Sequence, residues 1–182
     1  MVCRACGAVD RGVLCGHCSQ SLRPGGERRL AGGLLVRSAL AHDGAARILV
    51  HNLKYRGLTA AAGVLAGPIA EVLPPEARCL VPVPRVLLRL WRYGIDPAAA
   101  LAGAVSRITG LPVVSRLARP VWWAGRAGPA GAPRGTPAFR AGRPAPAGAV
   151  LVDDVLTTGA TLSAAAACLS GVIGAVTATG PG

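Results

Sequence analysis

The chain has 182 residues, a formal net charge of +12, 52% hydrophobic residues and 3% aromatic residues. This length suits one ordinary domain with a small appendage and is enough to bury a core. No apolar run approaches the roughly 20 residues that span a bilayer, and the N-terminus MVCRACGAVD lacks the apolar stretch of a signal peptide. We therefore expect a cytoplasmic protein without membrane insertion.

The N-terminal segment carries four of the six cysteines in two close pairs, Cys3-x2-Cys6 and Cys15-x2-Cys18. Two such pairs on tight turns bring four thiolates to one point, which is how tetrahedral Zn²⁺ is held in a small knuckle. A disulfide or redox pair is the alternative, and a reducing cytosol disfavours it. A fragment of about 20 residues buries too little surface to fold alone, so metal binding would supply its folding energy. The spacing predicts a structural zinc knuckle over residues 1–22.

The main domain is expected over residues 34–182, after a polar, Gly-rich linker over residues 21–33. Continuous apolar runs alternate here with helical patterns. They predict strands over 34–40, 79–85, 111–117, 148–154 and 172–179, and helices over 43–57, 59–73, 97–109 and 161–171. This alternation indicates a parallel sheet flanked by helices, in the α/β class.

Local signals set several boundaries of these elements. Asp43 is a suitable N-cap and Gly57 lies just past the end of the same helix, while Asp96 before a proline opens another. The strand over 79–85 contains two prolines, which keep it short. Residues 118–147 are dense in Gly, Pro, Ala and Arg, which predicts a long loop or lid.

The stretch LVDDVLTTGATL, residues 151–162, ends an apolar strand with Asp153 and Asp154 and continues into a Thr/Gly-rich turn. In open α/β sheets, ligands bind beyond the carboxyl ends of strands. The TTGAT turn enters a helix N-terminus, where unpaired amides favour a phosphate. Carboxylates that accept hydrogen bonds from vicinal hydroxyls beside a phosphate cradle describe a ribose 5-phosphate site. The alternative, in which Asp154 and the threonines only cap the helix, explains one acid and one hydroxyl.

The run VLVDDVLTTGATL closely resembles the phosphoribosyl-pyrophosphate signature of type I phosphoribosyltransferases. The wider layout is similar to the ComF/GntX family of competence-associated phosphoribosyltransferase-like proteins. It comprises the four-cysteine knuckle, then LVHNLKYRG, then LVPVPR, then an arginine cluster before the acidic signature, and so covers nearly the whole chain. The resemblance implies a Rossmann-like type I phosphoribosyltransferase core.

The same resemblance implies roles for individual residues. Asp153 and Asp154 would hold the ribose hydroxyls, directly or through Mg²⁺. Arg85 would face the pyrophosphate, and Lys54 would point toward the same site. The 5-phosphate would be wrapped by Thr157, Thr158, Gly159, Ala160 and Thr161, with Gly159 where close backbone approach leaves no room for a side chain.

The implied reaction is displacement of pyrophosphate from phosphoribosyl pyrophosphate by a nitrogen nucleophile. Its transition state would resemble an oxocarbenium ion, so catalysis would depend on positioning and on neutralising the leaving group. Magnesium bridging the pyrophosphate oxygens, with help from arginine, would supply that neutralisation. The sequence names no acceptor base, because the polar groups that many relatives carry at positions equivalent to residues 92–97 and 124–140 are absent here.

A second hypothesis is a single-stranded DNA-binding or adaptor protein on the same scaffold. Residues 78–143 contain 11 arginines and one acid, Asp96, and the association of ComF-like proteins with DNA uptake suggests DNA or the uptake machinery as a partner. Arginines could grip the backbone while bases stack on Trp91, Tyr93, Trp122 and Trp123. In the plainer alternative, Trp91 and Tyr93 pack in the core and the arginines form a solvated face. A third possibility is a regulator that senses phosphoribosyl pyrophosphate.

Overall fold

The computed structural model of the chain describes residues 1–121 and 138–182. Its strands are β1 Glu27–Arg29, β2 Leu35–Ala41, β3 Cys79–Pro82, β4 Leu117–Ala118, β5 Arg140–Ala141, β6 Ala149–Val155 and β7 Val172–Gly180. Its helices are α1 Gly16–Gln20, α2 Gly44–Arg56, α3 Ala60–Glu71, α4 Leu87–Tyr93, α5 Pro97–Thr109 and α6 Ala160–Ala167.

The central sheet has five strands in the order β1-β2-β7-β6-β3. The pairs β2–β7, β7–β6 and β6–β3 are parallel, and only the edge strand β1 is antiparallel to its neighbour. Strands β4 and β5 form a separate two-stranded antiparallel ribbon. The predicted α/β class with a mostly parallel sheet flanked by helices is therefore confirmed.

Both faces of the sheet are buried, as the continuous apolar strands predicted. Val150 and Val152 of β6 pack with helices α2, α3 and α5 on one face. Leu151, between them, packs on the other face with Leu162 of α6 and with Phe139. Successive side chains of a strand point to opposite faces, so a strand covered on both sides has no polar positions in its middle.

The predicted helices of the first half are confirmed, since α2, α3 and α5 lie within the expected ranges. Helix α2 ends at Gly57, whose φ of +65° is the left-handed conformation that glycine adopts readily. Asp96 caps α5, with its carboxylate accepting a hydrogen bond from the Ala99 N–H at 3.4 Å. Helix α6 is shorter than predicted and ends at Ala167 instead of residue 171.

The segment interpreted as a linker, residues 21–33, contains β1 and belongs to the sheet. Glu27 to Arg29 pair with Arg37 to Leu35 of β2, and the Ser38 N–H donates to the Gly26 carbonyl at 2.9 Å. Polar side chains suit this position because β1 is an edge strand with all three residues exposed. Composition alone therefore does not separate a polar edge strand from a linker.

In the strand predicted over residues 111–117, Val113 forms only a single parallel bridge with Leu80, and Leu117 begins the separate strand β4. Pro112 lacks the N–H that a continuous ladder would need. Helix α4 forms where we predicted no element, and β5 lies inside the expected loop 118–147. Residues 122–137 of that loop, with Trp122, Trp123, Arg126 and Arg134, fall outside the described residues. Where the chain is described, none of its helices combines the length and apolar character needed to cross a membrane.

Candidate functional site

A cleft of about 590 Å³ opens at the carboxyl ends of β3 and β6. Eight of the nine predicted cleft residues line it, and the ninth, Gly159, lies in the turn that forms one wall. Those eight are Lys54, Arg85, Asp153, Asp154, Thr157, Thr158, Ala160 and Thr161. The sheet thus brings together side chains that come from three separate parts of the sequence.

The acidic pair lies near the end of β6, where the strand is still paired with β7 at Asp153 and Thr177. The Asp153 carboxylate accepts a hydrogen bond from the Asp154 N–H at 2.8 Å. Lys54 reaches across from α2 and donates to the Asp154 carboxylate at 2.7 Å, with both side chains largely buried. Burial and the neighbouring Asp154 charge raise the pKa of Asp153 to about 8, against the opposing effect of the Lys54 ammonium. The floor of the cleft therefore favours a proton or another cation on Asp153.

The turn after β6 contains backbone N–H groups beside the cleft that have no partner among the described residues. The Leu156 N–H is used by the Thr179 carbonyl at 2.8 Å, and the Thr157 carbonyl accepts from Arg28 at 3.0 Å. Within residues 1–121 and 138–182, the N–H groups of Thr157, Thr158 and Gly159 donate to no other protein group. Unpaired amides at a helix N-terminus are suited to binding a phosphate.

Gly159 is the N-cap of α6 and has a φ of +81°, in the left-handed region. A Cβ at this position would lie 2.5 Å from the Leu30 Cδ2 atom. The need for glycine here thus comes from backbone conformation and from the hairpin between β1 and β2. The only side-chain hydrogen bond described at the start of α6 runs from the Ala160 N–H to the Thr158 hydroxyl at 3.4 Å, whereas Asp154 pairs with Lys54. The alternative in which Asp154 serves as a helix cap is wrong.

Arg85 lies on the opposite wall, in the turn between β3 and α4. One of its guanidinium nitrogens donates to the carbonyls of Lys54 at 2.8 Å and Ile95 at 3.1 Å. Its Cζ atom lies 4.8 Å from the ring centroid of Tyr93 and 5.9 Å from that of Tyr55. Burial lowers the pKa of Arg85 from its usual value, while the charge of a nearby aspartate in the cleft acts in the opposite direction. The guanidinium thus links α2 and α4 and lies within the electric field of the acidic floor.

His51 and Tyr55 of this wall were not predicted from the sequence, and Tyr93, expected to stack on bases or to lie in the core, lies against Arg85. Tyr55 and Tyr93 are in edge-to-face contact, with centroids 5.1 Å apart, and Tyr55 also contacts His51. Asp96, recognised only as a helix cap, also accepts from the Arg85 N–H at 3.1 Å and pairs with Arg119 at 2.7 Å. The LVHNLKYRG motif could have indicated His51 and Tyr55, because they are four residues apart and share a helix face.

Helix α4 carries no buried residue. Trp91 is 73% exposed, so the alternative that places this tryptophan in the core is wrong. Arg92 lies next to it, with its guanidinium carbon 5.5 Å from the Tyr93 ring centroid. An exposed tryptophan therefore lies on α4 next in sequence to Arg92 and close to Tyr93, which line the cleft.

The cysteine cluster is a second, separate site. The four sulfur atoms of Cys3, Cys6, Cys15 and Cys18 lie within 4.8 Å of one another, and the Cys6 and Cys15 sulfurs are 3.7 Å apart. Tetrahedral Zn²⁺ with bonds of about 2.3 Å requires sulfurs about 3.8 Å apart, so the spacing fits a metal ion. Backbone N–H groups of Cys15 and Cys6 lower the pKa of Cys3, whereas burial raises the pKa of Cys18. These four thiols could hold a metal.

Comparisons with known proteins add little to this geometry. No protein-family model matches the chain, and no match is found among curated proteins. Among solved structures, the chain is similar to the orotate phosphoribosyltransferase of Mycobacterium tuberculosis H37Rv in complex with inorganic phosphate. The identity is 16%, the match covers 88% of this chain and 76% of that chain, and the TM-score is 0.36. A likeness at this TM-score carries no argument about function, which must come from the site itself.

Proposed function

We propose that the protein binds phosphoribosyl pyrophosphate and transfers its phosphoribosyl group to a nitrogenous acceptor. One observation carries this proposal. A pair of carboxylates at a strand end continues directly into a turn of unpaired amides, and a lysine and an arginine stand opposite. This order matches the ribose hydroxyls, the 5-phosphate and the pyrophosphate of the substrate. The resemblance of VLVDDVLTTGATL to the phosphoribosyl-pyrophosphate signature supports the same assignment.

In this proposal Asp153 and Asp154 accept hydrogen bonds from the two ribose hydroxyls. The amides from Thr157 to Thr161 bind the 5-phosphate, and Lys54 and Arg85 neutralise the pyrophosphate. A nitrogen lone pair of the acceptor forms the new bond to the anomeric carbon, and the carbon–oxygen bond to pyrophosphate breaks. The electron pair leaves with pyrophosphate, and the nitrogen loses a proton to solvent. The protein contributes position and charge, without a covalent nucleophile.

The acidic pair also suits Mg²⁺, which prefers carboxylate oxygens and substrate phosphates. Burial, and after it the neighbouring Asp154 charge, raise the pKa of Asp153, and a divalent cation between the two carboxylates would favour the ionised form. Asp153 and Asp154 are the residues that would hold the ion, and the bound ion would neutralise charge on the pyrophosphate.

Calorimetric titration of the protein with phosphoribosyl pyrophosphate in the presence of Mg²⁺ tests the binding step. Pyrophosphate release, measured across a panel of purines, pyrimidines and other nitrogen nucleophiles, then tests transfer. We expect saturable binding and release with at least one acceptor. Failure to bind would contradict the proposal. Binding without release from any acceptor would instead favour a regulator that senses the ligand.

We further propose that the cysteine cluster holds structural zinc in a knuckle over residues 1–22, in a reducing cytoplasm where thiolates persist. Protein purified under reducing, chelator-free conditions should contain about one Zn²⁺ per chain. Cys15→Ser should release it, whereas Cys168→Ser, at an exposed cysteine elsewhere, should retain it. Metal analysis that finds no zinc in the wild-type protein would contradict this proposal.

A second candidate function is binding of single-stranded DNA, and the exposed Trp91 beside Arg92 favours it. The resemblance to ComF/GntX proteins would place such binding in DNA uptake. If α4 contacts the strand, oligonucleotide affinity should fall with salt at a log–log slope of about −0.7 per phosphate contact. Arg92→Ala should flatten that slope, while Arg107→Ala, on exposed α5 surface, should not. Salt-independent binding, or none at low salt, would eliminate this candidate.

A further inference from the structure

The cysteine knuckle is attached to the first turn of helix α2. The N-cap residue Asp43 does not cap the helix with its side chain, because its carboxylate pairs with Arg23. The cap comes instead from Ser21, whose hydroxyl oxygen accepts from the Ala45 N–H at 3.1 Å. The same hydroxyl donates to the Cys18 carbonyl at 2.9 Å. Ser21 alone therefore links the backbone of Cys18, one of the four clustered cysteines, to the first turn of α2 through two hydrogen bonds.

A second attachment joins the knuckle to the last turns of α2. The side-chain amide of Asn52 donates to the carbonyls of Arg4 and Ala5, each at 3.1 Å. Asn52 is only 4% exposed, so these bonds are shielded from water. Arg4 and Ala5 are the two residues between Cys3 and Cys6, so the contacts reach the metal-binding turn itself.

Apolar packing completes the contact between the knuckle and α2. Cys3, Ala5 and Cys18 belong to the same buried cluster as Leu49 and Leu53 of α2. The knuckle therefore shares its core with the main sheet domain. A change in the cysteine turns is transmitted to α2, because close-packed side chains leave little room for independent movement.

Helix α2 also carries the lysine of the cleft. Lys54 follows Asn52 by two residues, donates to Asp154 at 2.7 Å, and accepts from Arg85 at its carbonyl at 2.8 Å. One residue along a helix corresponds to a rise of 1.5 Å. A shift of α2 by that amount would break both contacts, since hydrogen bonds weaken beyond about 3.2 Å.

We propose that Asn52 and Ser21 are positioning residues that couple the cysteine knuckle to the cleft by fixing α2 and therefore Lys54. The part concerning ligand affinity rests on the proposed phosphoribosyl-pyrophosphate site. Loss of the metal or oxidation of the cysteines releases α2, separates Lys54 from Asp154 and weakens ligand binding. By linkage, ligand bound in the cleft strengthens metal retention by the same factor.

The test uses a property of the chain itself: Lys54 is the only lysine. A zero-length carbodiimide cross-link between Lys54 and Asp154, mapped by mass spectrometry, reports their contact without any ligand. We expect its yield to fall about five- to thirtyfold in Asn52→Ala, the range for losing one or two hydrogen bonds. Chelation of the metal from the wild-type protein should lower the yield similarly. Thr109→Ala, which removes two hydrogen bonds at the end of α5 and lies outside the buried cluster shared with the knuckle, is the matched control and should leave the yield unchanged.

A double-mutant cycle with phosphoribosyl pyrophosphate separates positioning from general destabilisation. Asn52→Ala should raise the dissociation constant about five- to thirtyfold in the wild-type background and have no further effect beside Lys54→Met. If Asn52→Ala does not fold, Ser21→Ala removes the other attachment and should lower the cross-link yield. An unchanged yield in the folded variants and in metal-free protein would overturn the coupling. Absence of ligand binding by the wild-type protein would reject only the proposed function, because the cross-link still measures the coupling.

Discussion

The two walls of the cleft are built in different ways. One wall is continuous in sequence from Asp153 to Thr161 and presents carboxylates and backbone amides. The other is assembled from α2, the turn after β3 and α4, and presents the cationic and aromatic side chains of Lys54, Arg85 and Tyr93. The first wall depends on local backbone conformation. The second depends on how separate elements pack, so the two should respond differently to substitution.

The largest effect is expected on the continuous wall, at the acidic pair. Asp153→Asn combined with Asp154→Asn removes charge-assisted hydrogen bonds worth about 1.5–3 kcal/mol each. Affinity for phosphoribosyl pyrophosphate with Mg²⁺ should therefore fall about 100-fold or more by calorimetry. Glu71→Gln with Glu76→Gln makes the same charge change at exposed sites and should have no such effect. Undiminished binding by the acidic-pair variant would end the ribose assignment.

The next effect is a pH dependence of stability that arises from the protonation of Asp153. Because the folded-state pKa of about 8 lies above the ordinary value of 3.8, the folded protein binds more protons than the unfolded chain between these pH values. The contribution of the protonated Asp153 carboxyl to stability is complete below about pH 4 and is lost as the pH rises to about 8. The free energy of unfolding of the ligand-free protein should fall by at most about 1.4 kcal/mol per pH unit in this range.

Asp153→Asn cannot ionise and should lack this slope in urea titrations at several pH values. Glu71→Gln, at an exposed acid, should keep the wild-type slope. Parallel pH profiles for the wild-type protein and Asp153→Asn would refute the assignment of the slope to Asp153.

Gly159→Ala should have a moderate effect, again on the continuous wall. The new Cβ meets Leu30 at 2.5 Å in a backbone with φ of +81°, which should cost about 1–3 kcal/mol of unfolding free energy. Gly63→Ala in α3 is a suitable control, because a Cβ there meets nothing within 4 Å, and should stabilise by about 0.5–1 kcal/mol. Equal stability of the two variants in thermal unfolding would contradict this account of Gly159.

The smallest effect is expected on the assembled wall, because several neighbouring elements hold its side chains in place. Arg85→Lys keeps the positive charge, but a lysine cannot donate to the carbonyls of Lys54 and Ile95 while it also lies against Tyr93. The free energy of unfolding should therefore fall by about 1 kcal/mol. Ligand affinity should fall about fivefold. Arg107→Lys, on the exposed side of α5, should change neither quantity. A loss for Arg85→Lys as large as that for the acidic pair would remove the distinction between the walls.

The sequence alone predicted the parts of the molecule that are local. Continuous apolar runs and the Gly57 and Asp96 signals predicted the parallel sheet and the ends of α2 and α5, because apolar runs and helix-boundary signals act over a few residues. The Asp43 signal gave the start of α2, although Ser21 supplies the side-chain cap there. The acidic turn was recognisable for the same reason, since its whole wall lies within nine residues. The four cysteines were recognisable because two short spacings bring their sulfurs together.

Only the tertiary structure decided what lies between distant segments. It paired β1, a polar stretch without an apolar pattern, with β2, and it placed Tyr93 against Arg85 from an element that the sequence did not indicate. It also attached the knuckle to α2 through Asn52, which a sequence reader would take for an ordinary polar helix residue. Such contacts depend on the relative positions of whole elements. Those positions follow from burial of the shared core, which no short window of sequence contains.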